Sequence, residues 1–414
     1  TTIYNVNIWF RILHCSARCK FCHDLRLKAR QGIMMRLMIQ MTPIRETALK
    51  RTAYHTQSTR LAMEKLRQLQ LELPKVCTDY FRAIAQTTSA LTRQAYAYDL
   101  RLFFQYLCAE ESDFSDTEPR LMGPDHLAQI NARHITGFQD YLQMYVKNDA
   151  DNEQETVITN QSLGIMRKLS SLRSFFDYLF KNELIPANVA TLVSMPKRHQ
   201  KPILYMEKEE VQRMLKAMMS GEGLNEREKK YLDITRKRDI AIVMMFLGTG
   251  IRVSELVGLD MDHLNFKDNS FLVTCKGGDQ TILYFPQSVA GYLLDYLEER
   301  RETQPLEGHE HALFLSLQRR RISQRAVEKL VKKYALLGAP LKPKLSPHKL
   351  RSTFGTNLYR ATGDIYLVAD TLGHADVNTT RRHYAAMSDD KRREAAKRIE
   401  LPTIQEETVE IPKN

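Results

Sequence analysis

Arg252, Lys276, His348, Arg351, His374 and Tyr384 are far apart in the chain, yet several are the side-chain types that hold a phosphate and move protons around it. A guanidinium forks onto two phosphate oxygens, an imidazole exchanges a proton near neutrality, and an ammonium can deliver one to a leaving oxygen. The stretch TLGHADVNTTRRHYAAM, residues 371–387, places His374 in a short turn and Tyr384 ten residues later in a basic helix. A phenolic hydroxyl set among so many groups suited to a phosphate needs a reason.

The elements that must position these residues are readable one by one. In LSPHKLRSTFGTNLYRATG, residues 345–363, Ser346 is a natural N-cap and Pro347 suits the first helical position. His348 and Arg351 then stand one turn apart at a helix N-terminus, whose partial positive charge favours an anion. In GTGIRVSEL, Gly248 and Gly250 end an apolar helix, Arg252 follows the turn, and Glu255 is one turn on, where it can hold the guanidinium. A plain surface ion pair is the competing reading of that couple. FLVTCKGGDQTILYFP, residues 271–286, alternates around Gly277 and Gly278 and predicts a β-hairpin with Lys276 near its tip. There the ammonium is either merely solvated or free to act as a general acid. Gly373 stops a further helix, leaving His374 in the turn, and Asn378 or Thr379 caps the helix that holds Tyr384. Taken singly, Tyr384 reads as a buried aromatic and His374 as a satisfied structural histidine.

Taken together they resemble a family. In order, Arg252, Lys276, the HisxxArg pair His348 and Arg351, His374 and Tyr384 match the signature of the tyrosine recombinases of the phage integrase and Xer type. The words GTGIRVSELVGL, KGG, SPHKLRSTF, LGHADVNTT and HY are similar to family form, and the resemblance spans residues 73–400. A joint match of this kind is far more specific than any one motif. It implies a mainly α fold with a small β-hairpin (α+β), arranged as a two-domain C-shaped DNA clamp. It implies that Tyr384 attacks a DNA phosphate, leaving a 3′-phosphotyrosine and a free 5′-hydroxyl that later attacks a partner strand through a Holliday junction. Arg252 and Arg351 would clamp the non-bridging oxygens and His374 would donate to one of them. His348 would accept the tyrosine proton, which is otherwise held to about pH 10, and Lys276 would protonate the departing oxygen. Neither ATP nor a metal is needed, because the covalent link conserves the bond energy. The implied partners are double-stranded DNA recombination sites, a homotetramer across two duplexes, and an accessory or partner recombinase. The alternatives are relaxation of DNA by a type IB topoisomerase-like enzyme and a DNA-binding accessory factor that has lost catalysis.

Composition agrees with a polyanionic partner. The 414 residues are 43% hydrophobic, enough for a substantial core, and carry a net charge of +12, which favours nucleic acid or an acidic membrane surface. Apolar runs such as Ile240–Leu247 are far shorter than the roughly 20 residues that span a bilayer. IYNVNIWFRIL near the start is interrupted by polar residues and lacks a small-residue cleavage site, so a cytoplasmic, nucleoid-associated protein is expected.

Domain boundaries follow from pattern shifts. Residues 1–70 form a basic extension, with an arm-like DNA-binding segment as the alternative and a helical stretch near 57–71. Residues 73–185 read as helical throughout and as a core-binding domain, with DADNEQET at 149–156 as a polar loop. The proline-containing stretch 186–205 reads as a linker, residues 206–400 as the catalytic domain and 401–414 as an acidic tail. In the helix near 160–181, Leu163, Met166, Leu169, Leu172, Phe176 and Leu179 are expected inward and Arg167, Lys168, Ser171 and Ser174 outward. Phosphate contacts are expected from Arg93, Arg167, Lys168 and Ser171, and from Lys197, Arg198 and Lys201 of the linker. The charged segment 388–401 is expected to dock on a neighbouring subunit or to stay solvated. Of six cysteines, Cys77, Cys108 and Cys275 read as small buried hydrophobes, so no disulfide framework is indicated. No metal site is expected; Cys15, Cys19 and Cys22 with His23 have a spacing that could hold an iron–sulfur cluster or zinc, and part of that segment reads instead as upstream sequence ahead of Met34, Met35 or Met41.

Overall fold

The computed structural model describes residues 54–148, 155–197, 203–275 and 278–373, with Val377 and Thr380 beyond them. Cys15, Cys19, Cys22 and His23 lie outside the described residues.

The first helices are α1 (Tyr54–Gln70), α2 (Val76–Ala83), α3 (Ala90–Glu110), α4 (Pro124–Gln129) and α5 (Ala132–Tyr141). In α1 the buried residues Ala62, Leu66 and Leu69 recur every three or four positions, the seam by which it lies along α3. Helix α3 starts where the Ser89 hydroxyl accepts the Thr92 amide at 3.1 Å, and it buries Leu100, Phe103, Phe104 and Leu107. A hairpin of β1 (Met144–Asn148) and β2 (Glu155–Thr159) then precedes α6 (Ser162–Lys181). The aromatic residues meet edge to face across these helices, Phe103 on Phe138 at 5.1 Å and Phe104 on Phe175 at 6.0 Å between centroids. They form the centre of a first hydrophobic core that runs from Leu66 to Val193.

Three expectations for this region need correction. The pattern is not helical throughout, because Met144–Asn148 pairs antiparallel with Glu155–Thr159 and so takes part of the expected loop into a strand. The hairpin was hidden because its strands are short and apolar on both faces: Tyr145 packs inward while Met144, Val146 and Val157 stay exposed. Leu163, expected inward, is 56% exposed in the first turn of α6, and Ile165 is buried in its place. Cys77 is buried, whereas Cys108 and Cys275 are only half-buried.

A second core begins at Met206. Its elements are α7 (Lys208–Ser220), α8 (Glu226–Thr249), α9 (Val253–Gly258), β3 (Leu264–Asn265), β4 (Ser270–Thr274), β5 (Gln280–Tyr284), α10 (Gln287–Glu302), α11 (Gln324–Gly338), α12 (Pro347–Thr362) and α13 (Ile365–Thr371). The expected hairpin is β4–β5, paired from Ser270–Tyr284 to Thr274–Gln280, with β3 added on the other edge of β4. Helix α8 is buried on nearly every side from Asp239 to Phe246, because α10 and α12 both pack on it. Gly248, read from sequence as part of the helix stop, lies inside α8, where a Cβ would come within 2.5 Å of Val289. Its role is to let α10 approach closely. Among the described residues no helix is long and apolar enough to cross a membrane.

Between the cores the chain is fastened at both ends. Arg173 of α6 donates to the carbonyls of Ala190 and Val193 at 3.3 and 2.7 Å. On the far side the Met206 amide donates to Thr353 at 2.9 Å, and Lys342 donates to the Tyr205 carbonyl at 2.9 Å and to Glu210 at 2.6 Å. Arg360 donates to Glu207 at 2.9 Å and to the Tyr205 hydroxyl at 3.0 Å. The Arg360 hydrogen bond holds the Glu207 carboxyl below the usual carboxylate range. A depressed folded-state pKa means that this contribution is present above the unfolded value, about 4.3, and is lost as pH falls through the folded value. Acid titration of unfolding stability should therefore show a component below about pH 4 that is missing from a Glu207→Gln protein; identical profiles would remove Glu207 from this fastening.

Candidate active site

The site is assembled from the ends of four helices. Helix α8 stops at Gly250, whose φ of 64° is the left-handed conformation that favours glycine. Two residues later Arg252 is the N-cap of α9, and Glu255 closes a capping box by accepting the Arg252 amide on Oε2 at 2.9 Å. The same carboxylate accepts Arg252 Nη1 on Oε1 at 2.7 Å. Glu255 is 3% exposed, so this is not the surface ion pair of the competing reading but a buried carboxylate holding both the backbone and the guanidinium of one residue.

Arg351 comes from α12, nearly a hundred positions later, and is 6% exposed. Its Nη1 donates to the Gly250 carbonyl at 2.5 Å, and its Nη2 donates to the Leu372 carbonyl at the C-cap of α13. Arg252 reaches the same place. Its Nη2 donates to the Leu372 carbonyl at 3.2 Å and to the Gly373 carbonyl at 2.9 Å. Two guanidiniums from different helices thus converge on one carbonyl oxygen, with the Glu255 carboxylate ion-paired to Arg252 beside them. Like charges placed so close repel, and what offsets this is the negative partial charge of two helix C-termini, α8 through Gly250 and α13 through Leu372 and Gly373. The turn is anchored from below, since Leu372 and Val368 are buried with Tyr359 in a small satellite core that Phe354 and Leu358 join.

His348 is at the second position of α12. Ser346 is the N-cap by position, but its side chain makes no capping hydrogen bond. His348 is exposed, in contrast to Arg351 three residues on. At the β4–β5 hairpin the Cys275 amide donates to Asp279 at 2.7 Å and the Gly278 amide to Cys275 at 3.1 Å, closing the neck around positions 276–277. Lys276, His374 and Tyr384 lie outside the described residues.

The candidates for DNA contact divide differently from the sequence reading. Arg93 is not a surface cation: it is 8% exposed and donates to the carbonyls of Ala85 and Thr88 at 2.7 and 2.9 Å, satisfying the chain that leads out of α2. Ser171 is fully buried and donates to the Lys168 carbonyl at 2.7 Å. Arg167 is half-exposed and forks onto buried Asp99 at 2.5 and 2.6 Å, while Lys168 donates to Asn160 at 2.8 Å. Ser174, also expected outward, accepts from Tyr80 at 2.9 Å. The polar side of α6 therefore ties the helix to α2, α3 and the hairpin base instead of lying open. Periodicity did not reveal this, because Asp99 and Tyr80 sit on other helices. Lys197 is exposed, and Arg198 and Lys201 lie outside the described residues.

Sequence reasoning missed the backbone carbonyls of Gly250, Leu372 and Gly373 that accept from the two arginines, and their trace in the sequence is the glycine punctuation of GTGIR and TLGH.

The phage integrase family matches residues 204–391. The tyrosine recombinase XerC of Caldanaerobacter subterraneus subsp. tengcongensis is 32% identical over 331 residues, covering 78% of this chain and 85% of the relative. The tyrosine recombinase XerS of Streptococcus uberis is 28% identical over 355 residues, covering 80% and 97%. Among solved structures, XerH site-specific recombinase bound to palindromic difH substrate, a post-cleavage complex, superposes with a TM-score of 0.56 at 21% identity, covering 83% of this chain and 89% of that one. The Tn1549 transposon integrase in complex with a circular intermediate DNA gives 0.53 at 17% identity, covering 78% and 99%. The chain belongs to the phage integrase family, the tyrosine recombinases. Within that family it is Xer-like, an enzyme of site-specific DNA recombination.

Proposed function

We propose that the chain cleaves and rejoins DNA recombination sites through a 3′-phosphotyrosine at Tyr384, with Arg252, Lys276, His348, Arg351 and His374 as the groups that act on the phosphate. The observation that carries this reading is the convergence of Arg252 and Arg351 on the Leu372 carbonyl, directly before Gly373 and His374 in the chain. Phosphoryl transfer concentrates negative charge on the non-bridging oxygens, and preorganised cations are worth most there because they need no reorientation as the charge develops. Arg252 and Arg351 serve as that pair, with Glu255 as the positioning carboxylate of Arg252. His348, exposed on the first turn of α12, takes the Tyr384 proton, His374 donates to a non-bridging oxygen, and Lys276 protonates the departing 5′-oxygen. The freed 5′-hydroxyl then attacks the phosphotyrosine of a partner strand, so bond energy is conserved without ATP.

Residues 73–185 act as the core-binding domain, 186–205 as the linker and 206–400 as the catalytic domain, which together close on the duplex. Four copies assemble on two sites, with the segment after 387 docking on a neighbour, and the enzyme works on the nucleoid in the cytoplasm. Exposed Lys197 is the described linker cation that fits a phosphate contact, together with half-exposed Arg167.

Denaturing capture of DNA joined to the protein in cells, with sequencing of the attached ends, tests this. Native protein should yield ends at one site with a protein-linked 3′ terminus, and Tyr384→Phe protein should yield none. Sizing the same complexes before denaturation should give four protomers per pair of sites. Equal recovery from the Tyr384→Phe protein would overturn the assignment of the nucleophile.

A further inference from the structure

We infer that the C-terminal carbonyls of α13, those of Leu372 and Gly373, are the positioning group for the arginine pair; this deepens the proposed function and rests on it. A buried guanidinium needs hydrogen-bond acceptors wherever it lies, so an acceptor for Arg351 alone would be unremarked. The geometry here is more specific. One oxygen, with two lone pairs, receives Arg351 Nη2 from α12 and Arg252 Nη2 from the N-cap of α9, and Arg252 Nη2 is shared onward with the Gly373 carbonyl at 2.9 Å. A shared acceptor fixes the separation of two cations that would otherwise move apart, and two cations at a fixed separation are what a phosphate clamp requires.

The device also sets the pair relative to the residue that follows. Gly373 has a φ of 53°, and its position for a Cβ lies 3.8 Å from both terminal nitrogens of Arg252. Any side chain at 373 would combine a strained backbone with a contact on the guanidinium. From that glycine the chain continues directly to His374. The turn is itself held by the Gly373 amide donating to Asp370 at 2.8 Å, the Leu372 amide donating to Val368 at 3.0 Å, and the buried Leu372 side chain. The arginines are therefore placed by a rigid helix end and not by neighbouring side chains alone.

A backbone ester tests this without changing any side chain. Glycolic acid in place of Gly373, introduced by semisynthesis into the full chain, turns the Leu372 carbonyl into an ester carbonyl, a weaker acceptor. Leucic acid in place of Leu372 is the control, since it removes one amide of the same turn and weakens the Thr371 carbonyl instead. Single-turnover formation of the covalent complex is measured on DNA with a normal scissile phosphate and with a neutral methylphosphonate, which has less need of two cations. The ester at 373 should slow cleavage of the phosphate about tenfold, with DNA affinity kept within about twofold and the methylphosphonate slowed less than about threefold. The control should move neither substrate by more than about threefold. Equal slowing of both substrates by both esters would reduce the carbonyls to helix-end stability, and an unchanged phosphate rate with the 373 ester would also overturn the inference. Cleavage linked to a residue other than Tyr384 would sink the proposed function, while the comparison of the two esters would still read the positioning.

Discussion

An Arg351→Lys enzyme should form the covalent DNA complex about a hundred- to a thousandfold more slowly than the native protein, the loss expected when one preorganised donor to a developing anion is removed. Lysine keeps the charge, so charge alone does not set the size of the effect. Arg351 spans two helix ends, donating to the Gly250 carbonyl with one terminal nitrogen and to the Leu372 carbonyl with the other. A single ammonium cannot reproduce that fork. Arg351 is 6% exposed and Gly250 is buried, so the Gly250 carbonyl left without this donor is not rescued by bulk water, which adds a stability cost of about 1–3 kcal/mol. The two effects separate experimentally, because single-turnover cleavage reads the first and denaturant unfolding the second. A cleavage rate within about threefold of native would remove Arg351 from the clamp. Arg252 is more exposed and keeps Glu255 as its partner, so Arg252→Lys should cost less in folding while still slowing cleavage.

Gly250→Ala should destabilise the fold by about 2–5 kcal/mol: about 1–2 for the left-handed backbone and about 1–3 for overpacking. The backbone term follows from a φ of 64°, and the packing term from a Cβ that would lie 2.5 Å from Phe354 Cδ1 and 3.0 Å from Leu372 Cδ2. Both neighbours matter to the site. Phe354 belongs to the satellite core under α13, and Leu372 presents the carbonyl shared by the arginines. The cleavage rate at temperatures where the variant is still folded should therefore fall as well. Unfolding midpoints and rates on the same preparation check this. A variant with native stability would show that Phe354 and Leu372 move aside freely, and the rigid helix end argued for the arginine pair would go with them.

Much of the fold class was readable because helices with one apolar stripe announce themselves in a linear pattern. Helix α3, with Leu100, Phe103, Phe104 and Leu107 on one face, and the β4–β5 hairpin around Gly277 and Gly278 are examples. The β1–β2 hairpin was not legible, since Met144, Val146 and Val157 make its outer face apolar as well and cancel the alternation. The outward side of α6 was misread for a different reason. Arg167, Lys168, Ser171 and Ser174 look like a solvated stripe until Asp99, Asn160 and Tyr80 are placed opposite them. Polar residues in sequence carry no mark of whether their partner is water or a distant side chain.

At the site, the residue types and the local caps belong to the sequence. GTGIRVSEL contains its own glycine stop, N-cap and capping box, so the Arg252–Glu255 pair is a local object that three residues of spacing determine. The resemblance to tyrosine recombinases is likewise carried by words such as SPHKLRSTF and LGHADVNTT. What only the tertiary structure decided is where the arginines point. Arg252 and Arg351 meet because α12 packs on both α8 and α13, and the oxygens on which the two guanidiniums converge are main-chain carbonyls. Every residue carries such a carbonyl, so its identity says nothing. Position, fixed by packing, makes the Leu372 carbonyl the point on which the site is built.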